Sequence, residues 1–544
     1  MLLKPLTNEI ELSVADEIEI QSPPYKPPVA ILILIALMGL VVVIRVAMAL
    51  YAANGGGDFY YYIVVAREWL RLPVGELPPS PSWTFYNPGI FHFYHALMLC
   101  GIISAEGLTI AINSLNLINT LLVAIILWRM RVNPILSIWA GIWLLFTSLH
   151  FDAYGGETEP LVVFPLLLSL AIVASQNRAW WQGRSLLIIA AGLALSMYVK
   201  QQGSLFAFGA FWAIVWISNW RQTTWLKQAS ILSAVVAAIV LLLLAAEPGT
   251  LMEVLLAKIR AVQVYPKQNP SMWGSLGGDR AADPKLGYLL VLLAVVLLSL
   301  RFFKEGRSWL TTPTGALFAL CVMMALASAW QMHTRHYRQY FLLTWPPVIM
   351  AVAIGAHSLL EDLSSIKLRR WSPWALLLII VLPFTKIGSS RGPWFTPQPV
   401  GVSIIDAYLE TWRMTPMEPW FFPKPTILPI IGAPLRTYTP PTEVVLDAML
   451  YLRKALPERT KVIVMPSVYN IIYWNLNLQH PLDDYGFAKD DSVRVEALES
   501  EQAQAVVFVT NHPQYRSEWL EQAYAAGFVE TRREGPVILM RRRS

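Results

Sequence analysis

The 544-residue chain has only two cysteines, Cys100 and Cys321, both within apolar stretches. A disulfide framework is therefore excluded, and so is a cysteine-ligated zinc site. Charge is scarce as well: 14% of residues are Asp, Glu, Lys or Arg, where soluble domains carry about 25%. The formal net charge is +6, but the Lys and Arg sit in short segments between apolar runs. No basic tract or RNA-binding motif accompanies them, so nucleic acid is not an expected partner. No Asn-x-Ser/Thr sequon with a permitted middle residue occurs, which fits a prokaryotic plasma membrane better than an endoplasmic reticulum. No internal repeat is visible.

What the chain has in abundance is apolar sequence, 55% of its residues. A helix needs about 20 apolar residues to cross a hydrocarbon core of roughly 30 Å. Eleven candidates are present, at 29–51, 108–128, 134–151, 160–175, 185–199, 203–218, 229–246, 286–303, 313–330, 339–357 and 373–388. The acid-bearing residues 1–28 precede an apolar run too long for a signal-peptide core, so the first span is expected to stay in the mature protein. A further segment, PGIFHFYHALMLCGIIS at 88–104, is short and carries His92 and His95.

The positive-inside rule arbitrates. The segments 129–133, 176–184, 219–228, 301–312 and 358–372 hold twelve Lys and Arg in 51 residues, against three in 19 for 152–159, 200–202 and 331–338. The first set is expected to be cytoplasmic. That makes 88–104 a re-entrant or surface-lying helix, puts the N-terminus in the cytoplasm, and places the outer loops at 52–107, 152–159, 247–285 and 331–338. Residues 389–441 contain eleven prolines and read as a proline-stiffened connection. From 442 to 544, apolar runs KVIVM (461–465) and AVVFV (505–509), with further strands near 528–532 and 537–541, alternate with helical patterns, which predicts a small soluble α/β domain outside the membrane.

The stretch GGGDFYYYIVVAREWL (55–70) opens the first outer loop. Phe59, Tyr62, Ile63, Ala66, Trp69 and Leu70 form one stripe with Arg67, Glu68 and Arg71 opposite, the pattern of a helix lying in the interface. Asp58 at its start reads either as an N-cap or as a general base at the mouth of a cavity. The second outer loop, FDAYGGETEP, holds Asp152, Glu157 and Glu159, the last before a proline suited to a first helical turn. Lys200 (MYVKQQG) reads as a snorkelling lysine or a substrate cation. In QMHTRHYRQY, the residues His333, Arg335, His336, Tyr337 and Arg338 read as an interface anchor or a binding cluster. No neighbouring carboxylate completes a histidine metal site there. The breaker-rich loop at 247–285 suits either a gate or a plain connector.

The order of these motifs resembles the GT-C superfamily of integral membrane glycosyltransferases, closest in layout to its protein O-mannosyltransferase and aminoarabinose-transferase branch, over roughly residues 29–357. The resemblance implies a multi-span α-helical membrane protein with about eleven transmembrane helices and a C-terminal extracytoplasmic α/β domain. Asp58 matches the family's catalytic aspartate, and Glu159, in Glu-Pro, stands where the family often has Asp-Pro; Glu157 of the same loop is a further candidate catalytic acid. Tyr86–Pro88 resembles the aromatic-x-proline before the juxtamembrane helix. Lys200 matches the family's lysine between the fifth and sixth spans, and Arg335 and Arg338 resemble the basic cluster that holds the donor lipid's phosphate, with His336 and Tyr337 in the same motif. Asp58 is followed by Phe59 where many relatives carry a second acid, a departure from the metal-binding version typical of oligosaccharyltransferases.

The activity implied is transfer of a sugar from a polyprenyl-phosphate donor to a hydroxyl of a glycan, lipid or protein acceptor. A phosphate leaving group calls for cations near the departing oxygen, so no cofactor is required. A divalent metal is compatible with this chemistry but not indicated. The competing classes are a transporter or flippase of lipid-linked glycans, for which repeats and charges buried mid-span are expected, an oligosaccharyltransferase-like ligase, and a non-catalytic scaffold.

Overall fold

The computed structural model describes residues 57–72, 88–147, 158–174, 183–200, 224–246, 282–310, 312–335, 341–361, 451–465, 470–481, 496–510 and 515–543, with isolated helical positions at 36 and between 208 and 215. Apart from those isolated positions, the expected spans at 29–51, 203–218 and 373–388, the proline-rich connection and almost all of the loop at 247–285 lie outside the described residues.

Helices α1 (Gly57–Leu70) and α2 (Gly89–Leu99) come first. They are followed by α3 (Ala105–Arg129), α4 (Pro134–Thr147), α5 (Glu159–Ala174), α6 (Gly183–Val199), α7 (Thr224–Ala245), α8 (Ala282–Glu305), α9 (Arg307–Leu310), α10 (Pro313–Arg335) and α11 (Phe341–Glu361). Ile110–Arg129 and Trp225–Ala245 are long and apolar enough to cross a membrane, and shorter apolar helices include Glu159–Ala174 and Gly183–Val199. With 11 residues, α2 reaches only about 16 Å at 1.5 Å per residue, half the hydrocarbon thickness.

The chain's own polar residues punctuate these helices. Ser104 caps α3 by accepting from Gly107 N–H at 3.0 Å. At the other end Arg131 takes φ 62, and the Val132 N–H donates back to the Leu127 carbonyl at 3.0 Å, the closure that ends a helix on a left-handed residue. The Asn133 side chain then accepts from Ile135 N–H at 2.9 Å to start α4 on Pro134.

The amphipathic interface helix expected at 58–70 is corrected in one respect. Every residue from Phe59 to Ala66 is at most 2% exposed, including Tyr60, Tyr61, Val64 and Val65. A helix apolar all round belongs inside a core. One side of α1 packs on α2, where Phe59, Tyr61, Tyr62, Phe91 and Tyr94 form edge-on and stacked ring pairs. Another side packs on α12 (Asn470–Leu476), beyond the membrane helices.

That last helix belongs to a four-stranded sheet: β1 (Val462–Met465), β2 (Ala505–Val509), β3 (Phe528–Glu534) and β4 (Val537–Arg542), in the order β1-β2-β4-β3. β1 and β2 are parallel; β4 runs antiparallel to β2 and to β3. Gly535, at φ 55, followed by Pro536 makes the two-residue β3–β4 connection, where a left-handed first residue matches the strand twist. Side chains alternate between the two faces of a sheet. Val462, Val464, Val507 and Leu539 join the core that continues through α12 and α1 into the membrane helices. Ile463, Met465, Val506, Phe508 and Met540 form a second core with Ala523 of α13 (Glu518–Ala525).

His480 lies buried beside Tyr473, and burial pushes its pKa down to about 3. The fold accommodates the neutral ring, and the folded pKa lies below the ordinary 6.5. This contribution is therefore complete above pH 6.5 and is lost as pH falls toward 3. Thermal unfolding of the wild type should lose about 1.4 kcal/mol per pH unit across that window relative to His480→Gln; parallel pH profiles for the two proteins would contradict the assignment.

Candidate active site

Helices α5 and α6 run side by side, and three residues spaced by four, Gly192 and Ser196 of α6 and Lys200 just past its end, meet α5 in succession. A Cβ on Gly192 would lie 2.5 Å from Ser169 Oγ and 2.8 Å from the Pro165 carbonyl, so the two backbones meet there at a distance only glycine permits. One turn on, Ser196 Oγ donates to the Val162 carbonyl at 2.7 Å. One further turn on, Lys200 Nζ donates to Glu159 Oε1 at 2.5 Å and to Thr158 Oγ1 at 3.0 Å. Thr158 Oγ1 in turn donates to Glu159 Oε2 at 3.3 Å. The pair sits at the end of this stripe, with Glu159 fully buried and the Lys200 side chain 15% exposed.

Neighbouring helices fix both partners. From α3, Asn119 Nδ2 donates to the Pro160 carbonyl at 2.9 Å and holds the first turn of α5. The start of α2 abuts the end of α6: a Cβ on Gly89 would lie 2.9 Å from the Tyr198 carbonyl. His92 stacks on Tyr198 at 5.8 Å between ring centroids, and Trp69 stacks on His95 at 4.0 Å. The ends of α5 and α6 and the juxtamembrane helices α1 and α2 thus gather at one end of the bundle. Thr314, at the start of α10, donates to Met130 at the end of α3, 3.2 Å apart. From there α10 runs for 23 residues, about 34 Å, to Arg335.

The candidate residues are distributed as follows. Glu159 and Lys200 are joined directly, a pairing that separate readings of the two loops did not anticipate. Asp58 is the second residue of α1 and Arg335 the last of α10, but their side chains lie outside the described residues. Tyr86, Asp152, Glu157, His336, Tyr337 and Arg338 also lie outside the described residues. Among the described residues no group of His, Cys, Asp and Glu could hold a metal ion. Thr158, Asn119 and Ser196 were missed; Ser196 had a signal in the sequence, the spacing Gly192-x3-Ser196-x3-Lys200.

No protein-family model matches the sequence, and no curated protein matches it. Solved structures do. ArnT from Cupriavidus metallidurans in the apo state superposes with a TM-score of 0.53 at 12% identity, over 93% of this chain and 97% of that one. ArnT bound to undecaprenyl phosphate gives 0.54 at 13% identity over the same shares. The chain has the fold of these ArnT structures. It is accordingly a multi-span helical membrane protein, and its buried carboxylate–ammonium pair sits within that fold where α5 begins and α6 ends.

Removing one partner of a buried ion pair costs about 3–5 kcal/mol, because the other charge is left uncompensated. Lys200→Met should therefore destabilise the protein by an amount in that range. Glu159→Gln combined with Lys200→Met should recover most of it in a thermal-shift series, and equal losses in the single and double variants would refute the pairing.

Proposed function

We propose that the chain is a glycosyltransferase that moves a sugar from a polyprenyl-phosphate donor to an acceptor hydroxyl on the extracytoplasmic face, with inversion at the anomeric carbon. In this reading about eleven helices span the membrane, with the N-terminus cytoplasmic. Residues 29–388 form the catalytic module, 389–441 the connection, and 442–544 a soluble domain outside. The observation that carries the reading is the Glu159–Lys200 pair, held at the end of a GT-C bundle where the helix bearing Asp58 also packs. That a structure of the same fold contains undecaprenyl phosphate supports a lipid phosphate as the leaving group.

The chemistry then divides among the residues. The acceptor oxygen attacks the anomeric carbon as the bond from that carbon to the phosphate oxygen breaks. The acceptor's proton passes to the Asp58 carboxylate, a transfer typically worth 10² to 10⁴-fold in rate, and the electron pair leaves with the polyprenyl phosphate. Lys200 and Glu159 together carry no net charge, so they present a fixed dipole, with the ammonium end oriented by Glu159 and Thr158. The net positive charge facing the leaving phosphate comes from Arg335 and Arg338, as preorganised groups do in sites of this type. Glu159 is thus assigned to orient Lys200, Glu157 to a supporting role, and Tyr86, His336 and Tyr337 to substrate binding. The sugar and the acceptor are left open at the level of hexose or pentose and hydroxyl.

Asp58→Asn tests the base. Asparagine caps helices about as well as aspartate, so a residue that only caps tolerates the change. The reading predicts a folded protein of equal thermal stability whose turnover, on a panel of undecaprenyl-phosphate hexoses and pentoses, falls by roughly 10² or more. Wild-type turnover in Asp58→Asn would leave Asp58 as a helix cap and return the base to Asp152, Glu157 or Glu159.

A further inference from the structure

The polar end of α1, which an interface helix would turn to water, is instead seated in the C-terminal sheet unit. Arg67 Nη1 donates to the carbonyls of Tyr473 at 3.3 Å and Trp474 at 3.1 Å. Its Nη2 donates to those of Tyr473 at 3.3 Å and Leu478 at 3.4 Å, while Nε donates to Glu68 Oε1 at 3.1 Å. The guanidinium also lies 5.3 Å from the Trp474 ring centre. All five N–H groups of an arginine fork are thereby engaged.

The receiving site has a definite construction. Asn477 takes φ 54, its N–H returns to the Trp474 carbonyl, and the Leu478 N–H returns to the Tyr473 carbonyl. These are the two bonds of a Schellman motif closing α12. Such a turn gathers carbonyl oxygens at the negative end of a helix, where a cation is favoured. A second residue from the same end of α1, Arg71, donates to Asn477 Oδ1. Gln479 Nε2 donates to Glu68 Oε2 at 3.2 Å. The socket is tied to the sheet as well: Val462 N–H of β1 donates to the Gln479 carbonyl at 2.8 Å, and Arg459 N–H to that of Asn477 at 2.8 Å.

Arg67 lies nine residues after Asp58 on one continuous helix, about 13.5 Å along its axis. On the other side of Asp58 the chain offers three glycines, Gly55, Gly56 and Gly57, the residues that constrain backbone direction least. The C-terminal end of α1 is tied to the sheet unit by hydrogen bonds from Arg67 and Arg71 and to Glu68.

We propose that the C-terminal α/β unit is part of the catalytic apparatus, because its Schellman turn at 473–478 grips Arg67 and so sets the position of the helix that carries Asp58. Arg67 is a positioning residue, and the proposal rests on the reading of Asp58 as the base. Lysine can supply the charge but not the fork that spans three carbonyls.

The test uses the full chain in lipid nanodiscs and reads two quantities: hydrogen exchange at the amides of residues 59–66, and kcat and KM on the undecaprenyl-phosphate sugar panel. Arg67→Ala should raise exchange along α1 and lower kcat by tenfold to about 10²-fold, the scale of a misplacement near 1 Å, with donor KM within about twofold. Ethylguanidinium added to Arg67→Ala should restore part of the lost turnover by refilling the socket, a recovery that general misfolding would not show. Arg67→Lys should fall between and serves alone if the alanine variant does not accumulate. Unchanged exchange, or raised exchange with unchanged kcat, overturns the proposal. If Asp58→Asn is fully active while Arg67→Ala behaves as described, the positioning role is supported and only the base assignment fails.

Discussion

A carboxylate with no solvent exposure has to be paired, and in this chain the partner of Glu159 is Lys200, 41 residues away on the next helix. Much of the candidate site depends on that one meeting. It occurs because Gly192 and Ser196 let α6 approach α5 closely enough, two turns and one turn earlier, for the stripe to deliver Lys200 to the first turn of α5. A buried pair of this kind adds little to stability over an apolar replacement. What it does is hold a cation and an acid at fixed places beside the start of α2.

The same end of the molecule explains the burial of α1. Its apolar residues cover α2 and α12, and Arg67, Glu68 and Arg71 at its C-terminal end engage a turn that the C-terminal sheet unit provides. The two cores of the sheet follow from strand alternation: one face continues into the membrane helices, and the other closes on α13. The sheet unit is thus built onto α1.

Hydrophobic length located the helices well. The runs at 108–128 and 185–199 fall within α3 and α6, and the run at 229–246 matches α7 to within one residue at its end, because a helix crossing hydrocarbon cannot hide its composition. The strands at 462–465 and 505–509 were legible for a related reason, since β-branched apolar runs of that length suit a strand buried on both faces. The environment of α1 was not legible. An apolar stripe with charges opposite looks the same whether it faces lipid or protein, and the four buried residues outside the stripe, Tyr60, Tyr61, Val64 and Val65, carried the only warning. The Glu159–Lys200 contact was hidden for a different reason. Each residue has a sufficient local explanation, as a helix start and as a snorkelling lysine, and only the four-residue spacing of Gly192, Ser196 and Lys200 points across to α5.

The central claim is that this end of the bundle receives a polyprenyl phosphate. The measurement that tests it most directly is a cryo-EM structure of the full chain with undecaprenyl phosphate bound. The account predicts the phosphate at the Lys200 end of the α5–α6 stripe, within hydrogen-bond reach of at least two of Lys200, Arg335 and Arg338. A phosphate bound more than about 10 Å from all three, beyond a Debye length at 0.1 M salt, would contradict it.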